Sequence, residues 1–156
     1  TGMRCGECLA VTEKDLNLQK LYMDLPAEIT KGKKGRCVFF SARTGKTLKR
    51  WLQYKDRYRD SEYLFCTNEG KPLRVNNFEA NIRKYAQRIG LKEIHPHCFR
   101  NNFAKRFLMN GGDIYTLSRL LGHSSVTVTE RAYLDVDTDD LHDLYQKYSP
   151  MENMGL

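Results

Sequence analysis

The chain lacks a long apolar run: no stretch of its 156 residues is hydrophobic over the roughly 20 residues that a membrane-spanning helix needs. We also expect no apolar, cleavable leader of the kind that directs secretion. Its five cysteines include one CxxC pair, Cys5 and Cys8, but no second pair that would complete a zinc or redox site. These absences disfavour a membrane protein, a disulfide-stapled domain and a metal centre. We therefore expect a cytoplasmic protein, in the bacterial cell or nucleoid, with reduced thiols.

Positive charge is in excess, with 26 Lys and Arg against 19 Asp and Glu and a formal net charge of +7. Most of the basic residues lie between residues 31 and 106, whereas five aspartates crowd the segment after Tyr133: Asp135, Asp137, Asp139, Asp140 and Asp143. An excess of this kind favours a polyanionic partner, most commonly nucleic acid, although a basic domain without such a partner remains an alternative.

Apolar periodicity and turn residues predict a mainly helical α+β domain with one small antiparallel sheet. The predicted sheet is a hairpin, because residues 18–24 alternate and residues 36–40 are rich in β-forming types. A basic turn, Lys31-Gly32-Lys33-Lys34-Gly35, separates the two strands.

Start and stop residues predict seven helices around this hairpin. We expect them over 4–11, from Gly45 to Tyr58, over 77–89, from Pro96 to Gly111, from Asp113 to Gly122, after Ser124 or Ser125, and after Asp137 or Thr138. Asn76 and Glu79 form a predicted capping box for the third of them. From the fourth, four apolar side chains are expected to face inward: Phe99, Phe103, Phe107 and Leu108.

Several chemically capable side chains are predicted at helix ends. His97 and Arg100 are three residues apart and share a helix face. His123 lies between two helices, where the free N–H groups of the second favour an anion, and Arg4 stands at the start of the first helix. Arginine holds two phosphate oxygens with its planar fork, and a tyrosine such as Tyr133 attacks a phosphate only when cations stabilise its phenolate. Singly, each of these residues is more often a surface or core residue, so the hypothesis depends on their joint order and spacing.

Their order resembles that of the tyrosine recombinases, the phage integrase family. The similar segments are Thr1 to Ala10 (the first arginine motif), His95 to Arg100 (His-x-x-Arg), Leu120 to Ser125 (Leu-Gly-His), Glu130 to Tyr133 (the nucleophile segment) and Thr30 to Arg36 (the β-hairpin that carries a catalytic lysine). Together these motifs cover nearly the whole chain and imply the catalytic-domain fold of that family.

The resemblance implies a role for each matched residue. Tyr133 attacks the scissile phosphate, forming a 3′-phosphotyrosyl bond and releasing a 5′-hydroxyl. Arg4 and Arg100 clamp the non-bridging oxygens, His97 assists proton transfer at the nucleophile, and His123 hydrogen-bonds the phosphate.

Two further residues take supporting roles by the same resemblance. Lys31 protonates the leaving 5′-oxygen, with Lys33 as the alternative because the register of the turn is open. Glu7 orients the site from behind Arg4. The family uses no metal, nucleotide cofactor or ATP, since the phosphotyrosine conserves the bond energy.

The sequence departs from the family pattern at two points. Asn101 stands where a histidine usually follows the second arginine. His123 and Tyr133 are ten residues apart rather than the usual nine, so the segment between them must absorb one residue. If it does not, Tyr133 would need DNA or a neighbouring subunit to reach its active pose, and Tyr145 and Tyr148 are weaker alternative nucleophiles.

We therefore expect residues 1–156 to be a single catalytic domain, a fragment without an N-terminal DNA-binding domain, of a site-specific recombinase or integrase from a phage or mobile element. Its expected partners are double-stranded DNA and copies of itself, as a monomer without DNA and a tetramer on DNA. Residues 141–148 would then dock on a neighbouring subunit or pack on their own domain. Two alternatives stay open: a recombinase-like domain that binds DNA without cutting it, and a type IB topoisomerase-like enzyme.

Overall fold

A computed structural model of the chain describes residues 1–133 and 138–149. Within those residues the element order is α1 (Cys5–Ala10), β1 (Leu16–Asn17), β2 (Tyr22–Leu25), β3 (Arg36–Phe39), α2 (Ala42–Tyr58), α3 (Val75–Arg88), α4 (Pro96–Met109), α5 (Ile114–Leu121), α6 (Val126–Tyr133) and α7 (Thr138–Tyr148). Short 3₁₀ turns cover Glu13–Asp15 and Ala27–Ile29. The predicted class, mainly helical with one small antiparallel sheet, is confirmed.

The sheet has the order β1-β2-β3, with both pairs antiparallel. Met23 pairs with Val38 across the hairpin, and both side chains are buried. The second strand starts later than the predicted residues 18–24, because Leu21 has a φ of 58°, a left-handed backbone that cannot continue a strand. The strands therefore place one apolar face against the rest of the domain.

Helix α2 covers that face of the sheet. It begins at Ala42 rather than after Gly45, because the Ser41 hydroxyl accepts a hydrogen bond from the Thr44 amide (3.2 Å) and caps the helix. Leu48 packs into a core with Val11, Met23, Leu25, Val38, Phe40 and Leu64. Lys55 is also buried, and its ammonium group bonds to the Glu13 carboxylate and the Ser61 carbonyl.

A second core lies between α4 and α5. Ala104, Leu117 and Leu121 are fully buried there, with Phe103, Phe107 and Leu108 packed around them. Asp113 caps α5 by accepting from the Thr116 amide (2.8 Å), as predicted. The prediction that Phe99 faces inward is wrong: its side chain is 60% exposed, because the buried face of α4 runs through Arg100 and Ala104.

The remaining predicted boundaries shift by a few residues. The capping box at Asn76 and Glu79 is wrong, since α3 already includes Asn76 and the Phe78 amide donates to the Arg74 carbonyl. The predicted cap Asp137 and the acidic Asp135 lie outside the described residues. Among the described helices, none combines the length and the apolar character that crossing a bilayer demands.

Candidate active site

Arg100 forms the centre of the candidate site, and its side chain is only 3% exposed. Its Nη1 donates to the Gly2 carbonyl (2.6 Å) and its Nη2 donates to the Leu121 carbonyl (2.8 Å). These bonds join the N-terminal segment, α4 and the end of α5. Gly2 has a φ of 69°, and a Cβ at that position would collide with the Phe103 ring. Glycine is therefore needed for the segment before Arg4 to lie against α4.

His123 lies beside Arg100, at the junction of α5 and α6. Its Nε2 is 2.9 Å from Arg100 Nη2, and its Nδ1 is 2.7 Å from the hydroxyl of the fully buried Thr129. A guanidinium group can only donate, so Nε2 must accept and the ring proton must be on Nδ1. Burial, together with the charges of Arg100, Arg4 and Arg36, lowers the pKa of His123 to about 4. The imidazole is therefore neutral at pH 7.

Glu7 joins two more arginines to this centre. Its carboxylate, 2% exposed, accepts from the Arg4 amide (2.9 Å) and from Arg4 Nη1 (3.2 Å). The Arg36 guanidinium binds the same carboxylate with both terminal nitrogens (3.1 and 2.6 Å). Burial works to raise the pKa of Glu7, but the bonds from Arg36 and Arg4 outweigh it and hold that pKa below its ordinary value. Glu7 therefore contacts Arg4, and its predicted role in orienting the site stays a prediction.

Arg36 also explains the glycine of the Leu-Gly-His segment. Its Nε donates to the Leu120 carbonyl (3.1 Å), so the guanidinium lies against the end of α5. A Cβ on Gly122 would come within 2.8 Å of that guanidinium, and Gly122 has a φ of 66°. The glycine both ends α5 and leaves space for Arg36.

His97 is more exposed than the other members of the site. Partial burial of the ring lowers its pKa, and the charges of Arg100, His95 and Arg4 lower it further. The same cations therefore reach both His97 and His123. Among the predicted residues, the structure brings together Arg4, His97, Arg100 and His123, with Glu7 behind them.

Positive charge dominates this cluster. Two guanidinium groups, from Arg4 and Arg36, bind the Glu7 carboxylate, and a third, from Arg100, contacts His123, which is neutral at pH 7. A fixed positive field of this kind stabilises a phosphate and the charge that grows on its oxygens as a nucleophile attacks. The arrangement is therefore chemically suited to a phosphodiester.

The hairpin turn positions the candidate lysines. The Thr30 hydroxyl donates to the Ala27 carbonyl (3.0 Å) and accepts from the Lys34 amide (3.1 Å), which closes the turn. Lys31 and Lys33 are both exposed, and Lys33 has a left-handed backbone with a φ of 49°. Because Arg36 is bound to Glu7, the base of the turn is attached to the cationic cluster. The choice between Lys31 and Lys33 stays a prediction.

Tyr133 is the last residue of α6. Its side chain lies outside the described part of the chain, so its role as nucleophile stays a prediction. The alternative tyrosines, Tyr145 and Tyr148 on α7, have exposed side chains. Asn101, which replaces the usual histidine, is also exposed.

Sequence reasoning missed two residues of the site. Arg36 was predicted only as the first residue of a strand, and its charge beside three apolar neighbours was the available signal. The signal for Thr129 was weaker: it lies six residues after His123, on the inner face of a short helix. Neither contact partner is visible in the sequence, because each depends on how separate elements pack.

The CxxC pair lies next to the site but does not belong to its chemistry. Cys5 and Cys8 are free thiols that line an apolar cavity of about 320 Å³ with Phe78 and Phe103. Burial raises the pKa of Cys8 to about 11 and also raises that of Cys5, so both stay protonated near neutral pH. Within residues 1–133 and 138–149, no group of His, Cys, Asp and Glu side chains is placed to hold a metal ion.

Comparison with known proteins supplies the family. Residues 1–140 match the model of the phage integrase family. The tyrosine recombinase XerC of Pediococcus pentosaceus is 31% identical over 157 residues, covering 96% of this chain and 51% of that protein. The XerC of Leptospira interrogans serovar copenhageni is 32% identical, over 88% of this chain and 42% of that protein.

Solved structures agree with this fold. The crystal structure of XerA recombinase superposes with a TM-score of 0.85 at 30% identity, covering 96% of this chain and 54% of that chain. The XerH recombinase bound to a palindromic difH substrate, in a post-cleavage complex, gives a TM-score of 0.75 at 26% identity, over 94% of this chain and 42% of that one. The chain thus spans about half the length of the relatives it matches.

Proposed function

The chain belongs to the phage integrase family, and on that premise we propose that it carries the catalytic centre of a site-specific tyrosine recombinase. The reaction is the cleavage and rejoining of DNA strands through a 3′-phosphotyrosyl bond, with no metal or ATP. One observation carries the proposal: buried Arg100 is bonded to His123 beside an Arg4 that Glu7 holds in place. Arg4 comes from a segment about a hundred residues before Arg100 and His123.

The cationic cluster supports the phosphate-binding roles that we propose. Arg4 and Arg100 bind the non-bridging oxygens, where their charge stabilises the pentacoordinate transition state. His123 hydrogen-bonds the phosphate, and His97 assists proton transfer at the nucleophile. Support for these roles comes from the shared electrostatic environment of the two rings.

Attack and departure involve two further residues, a tyrosine and a lysine. Tyr133 attacks phosphorus, the bond to the 5′-oxygen breaks, and the hairpin lysine, Lys31 or Lys33, gives that oxygen a proton. Rejoining reverses these steps on a second strand. Tyr133 is ten residues from His123, at the end of the same helix that holds Thr129 against the ring.

The proposed partner is double-stranded DNA. The net charge of +7 supports it, and so does the DNA-bound state of the XerH structure. We propose that the chain is monomeric without DNA and tetrameric on DNA, since joining two duplexes requires four cleavages. We also propose that the chain acts as one catalytic unit, because Arg36 in the sheet and Arg100 in α4 bond to the neighbouring carbonyls of Leu120 and Leu121 at the end of α5.

Covalent capture tests the proposal without knowledge of the target site. The 156-residue chain is incubated with a library of random-sequence duplexes, each nicked so that a short 5′-hydroxyl product diffuses away and the covalent complex accumulates. The expected result is a protein–DNA adduct, with the modified peptide containing Tyr133. Tyr133→Phe should abolish the adduct and retain binding to the duplex, whereas the matched variant Tyr145→Phe should form it normally.

The captured DNA separates the alternatives. A shared sequence among the recovered duplexes supports a site-specific recombinase. Adducts without a shared sequence, together with relaxation of any supercoiled plasmid, would mean a topoisomerase-like enzyme. Binding without any adduct would mean a DNA-binding domain that has lost cleavage.

The proposal also includes the DNA rearrangement that the enzyme carries out. The predicted role is integration or excision of a phage or mobile element, which joins or separates two DNA molecules. The same chemistry between two sites on one circle would resolve DNA dimers instead. Paired captured sites on two plasmids test for integration, which joins two molecules, whereas paired sites on one plasmid test for excision and dimer resolution, which both divide one molecule into two.

A further inference from the structure

The hydroxyl of Thr129 lies 2.7 Å from His123 Nδ1, on the side of the ring that faces away from Arg100. Thr129 is completely buried in α6. This contact has no place in the roles assigned above. A hydroxyl can donate or accept, so the direction of this bond follows from what the other ring nitrogen does at Arg100.

The two ring nitrogens of His123 have opposite tasks. Arg100 Nη2 can only donate, so at 2.9 Å it needs an unprotonated Nε2. A neutral imidazole then has its proton on Nδ1, where the Thr129 oxygen accepts it. A proton on Nε2 would instead face the N–H of Arg100 Nη2, which is also a donor. Nδ1 would then have to accept from the Thr129 hydroxyl.

We propose that Thr129 is a positioning residue that holds the His123 proton on Nδ1 and thereby orients Nε2 toward Arg100. The inference rests on the proposed function, since it concerns the phosphate-binding pair of the same site. In the free protein, Nε2 and the Leu121 carbonyl each accept from Arg100 Nη2 and so fix the plane of the guanidinium. Arg100 is thus aligned before any phosphate arrives.

The same arrangement defines what changes when a phosphate binds. A phosphate oxygen accepts hydrogen bonds, so His123 can bond to it only with a proton on Nε2. Because Thr129 keeps the Nδ1 proton in place, Nε2 takes up one further proton from solvent and no tautomer exchange is needed. The charged groups that oppose this proton in the free protein are Arg100 on α4, Arg4 before α1, Arg36 on β3 and, when protonated, His97. The two negative oxygens of a bound phosphodiester offset them.

Two variants separate positioning from mere packing. Thr129→Val keeps the shape and the branched Cβ but removes the hydroxyl. Thr129→Ser keeps the hydroxyl but removes a methyl group. A role in packing predicts that both variants are impaired, or that Ser is the worse. A role in positioning predicts that Val is impaired and Ser is close to the parent chain.

The first readout is nitrogen-15 NMR of the histidine-labelled chain, which distinguishes protonated from unprotonated ring nitrogens. The chain has four histidines, and the His123 signals are those that disappear in His123→Gln. The expected result is a proton on Nδ1 alone in the parent chain and in Thr129→Ser, and a mixture of both tautomers in Thr129→Val.

The second readout is the rate of covalent capture with the nicked duplexes. Thr129→Val should slow it about tenfold, the effect of losing one buried hydrogen bond, while duplex binding is retained. A proton on Nε2 in the parent chain would overturn the inference, as would an unchanged rate in Thr129→Val or equal losses in Val and Ser. Failure of the parent chain to form any adduct would refute the proposed function instead, and the NMR result would still decide the position of the proton.

Discussion

Glu7 and Arg36 form a two-bond ion pair, 3.1 and 2.6 Å long, between the first turn of α1 and the first residue of β3. The same carboxylate also holds Arg4, so one buried acid fixes two cations that approach from different sides. Ion pairs buried in this way contribute little net stability when intact but cost several kcal/mol when one partner is removed. This property makes Glu7 a test of how the cluster is held.

Glu7→Gln should lower the free energy of unfolding by about 3 kcal/mol, because it leaves Arg4 and Arg36 beside a neutral amide in a buried site. Urea unfolding followed by circular dichroism measures the change. Glu69 is a matched control: it pairs with Lys71 at 3.0 Å, but both side chains are more than 70% exposed. Glu69→Gln should therefore change stability by less than about 0.5 kcal/mol. Equal losses in the two variants would show that Glu7 is not a buried anchor.

Much of the fold was predictable from local signals. Asp113 and Gly122 mark the two ends of α5 by a cap and a left-handed residue, and both act at their own positions in the chain. The predictions are wrong where a distant contact or an unusual backbone angle determines the start of a strand or the burial of a side chain. Leu21 delays β2 through its left-handed backbone, and Phe99 is exposed because the inner face of α4 is taken by Arg100.

The site divides in the same way. Arg4, His97, Arg100 and His123 were predicted from motif order, and the structure brings them together. Arg36 and Thr129 were not predicted, because a strand arginine and a helix threonine are ordinary residues until their partners are known. Residues that act by holding other residues leave little trace in sequence patterns, since their partners lie 29 and six positions away without any fixed spacing rule.

The low pKa of His123 predicts a pH dependence of stability. A histidine whose pKa is lowered on folding stabilises the fold fully above its unfolded value, about 6.5, and loses that contribution as pH falls to about 4. The difference in unfolding free energy between the parent chain and His123→Gln should therefore shrink as pH falls from 6.5 to 4. Urea unfolding at half-unit pH intervals measures it.

His142, exposed on α7, provides the control for losing one imidazole. If the difference between the parent chain and His123→Gln stayed constant across this pH range, His123 would titrate alike in the folded and unfolded chains. The lowered pKa of His123 beside Arg100 would then be wrong.

Gly122 and Gly90 allow the contact with Arg36 to be measured apart from backbone strain. Both have a positive φ, 66° and 75°, so alanine at either position should cost about 1 kcal/mol in unfolding free energy through its left-handed backbone. Nothing lies within 4 Å of a Cβ at Gly90, whereas a Cβ at Gly122 meets the Arg36 guanidinium. Gly122→Ala should thus lose more stability than Gly90→Ala and should also slow covalent capture. Equal losses of stability in the two variants would mean that the Arg36 side chain moves aside at no cost in free energy.

Substitutions in the turn can identify the lysine that protonates the leaving 5′-oxygen. Lys31 and Lys33 are two residues apart on the turn, and both are exposed. We expect Lys31→Ala, and not Lys33→Ala or the control Lys34→Ala, to abolish capture on an ordinary duplex, because the 5′-oxygen then leaves without a proton donor.

A substrate with sulfur in place of that 5′-oxygen makes the test specific, since a thiolate leaves without needing a proton. Lys31→Ala should regain capture on the sulfur substrate, while Arg100→Ala should not, because the loss of a phosphate clamp is independent of the leaving group. Rescue of Lys33→Ala instead would shift the role by two residues along the turn. A Lys31→Ala variant that stays inactive on the sulfur substrate would show that this lysine serves binding rather than protonation.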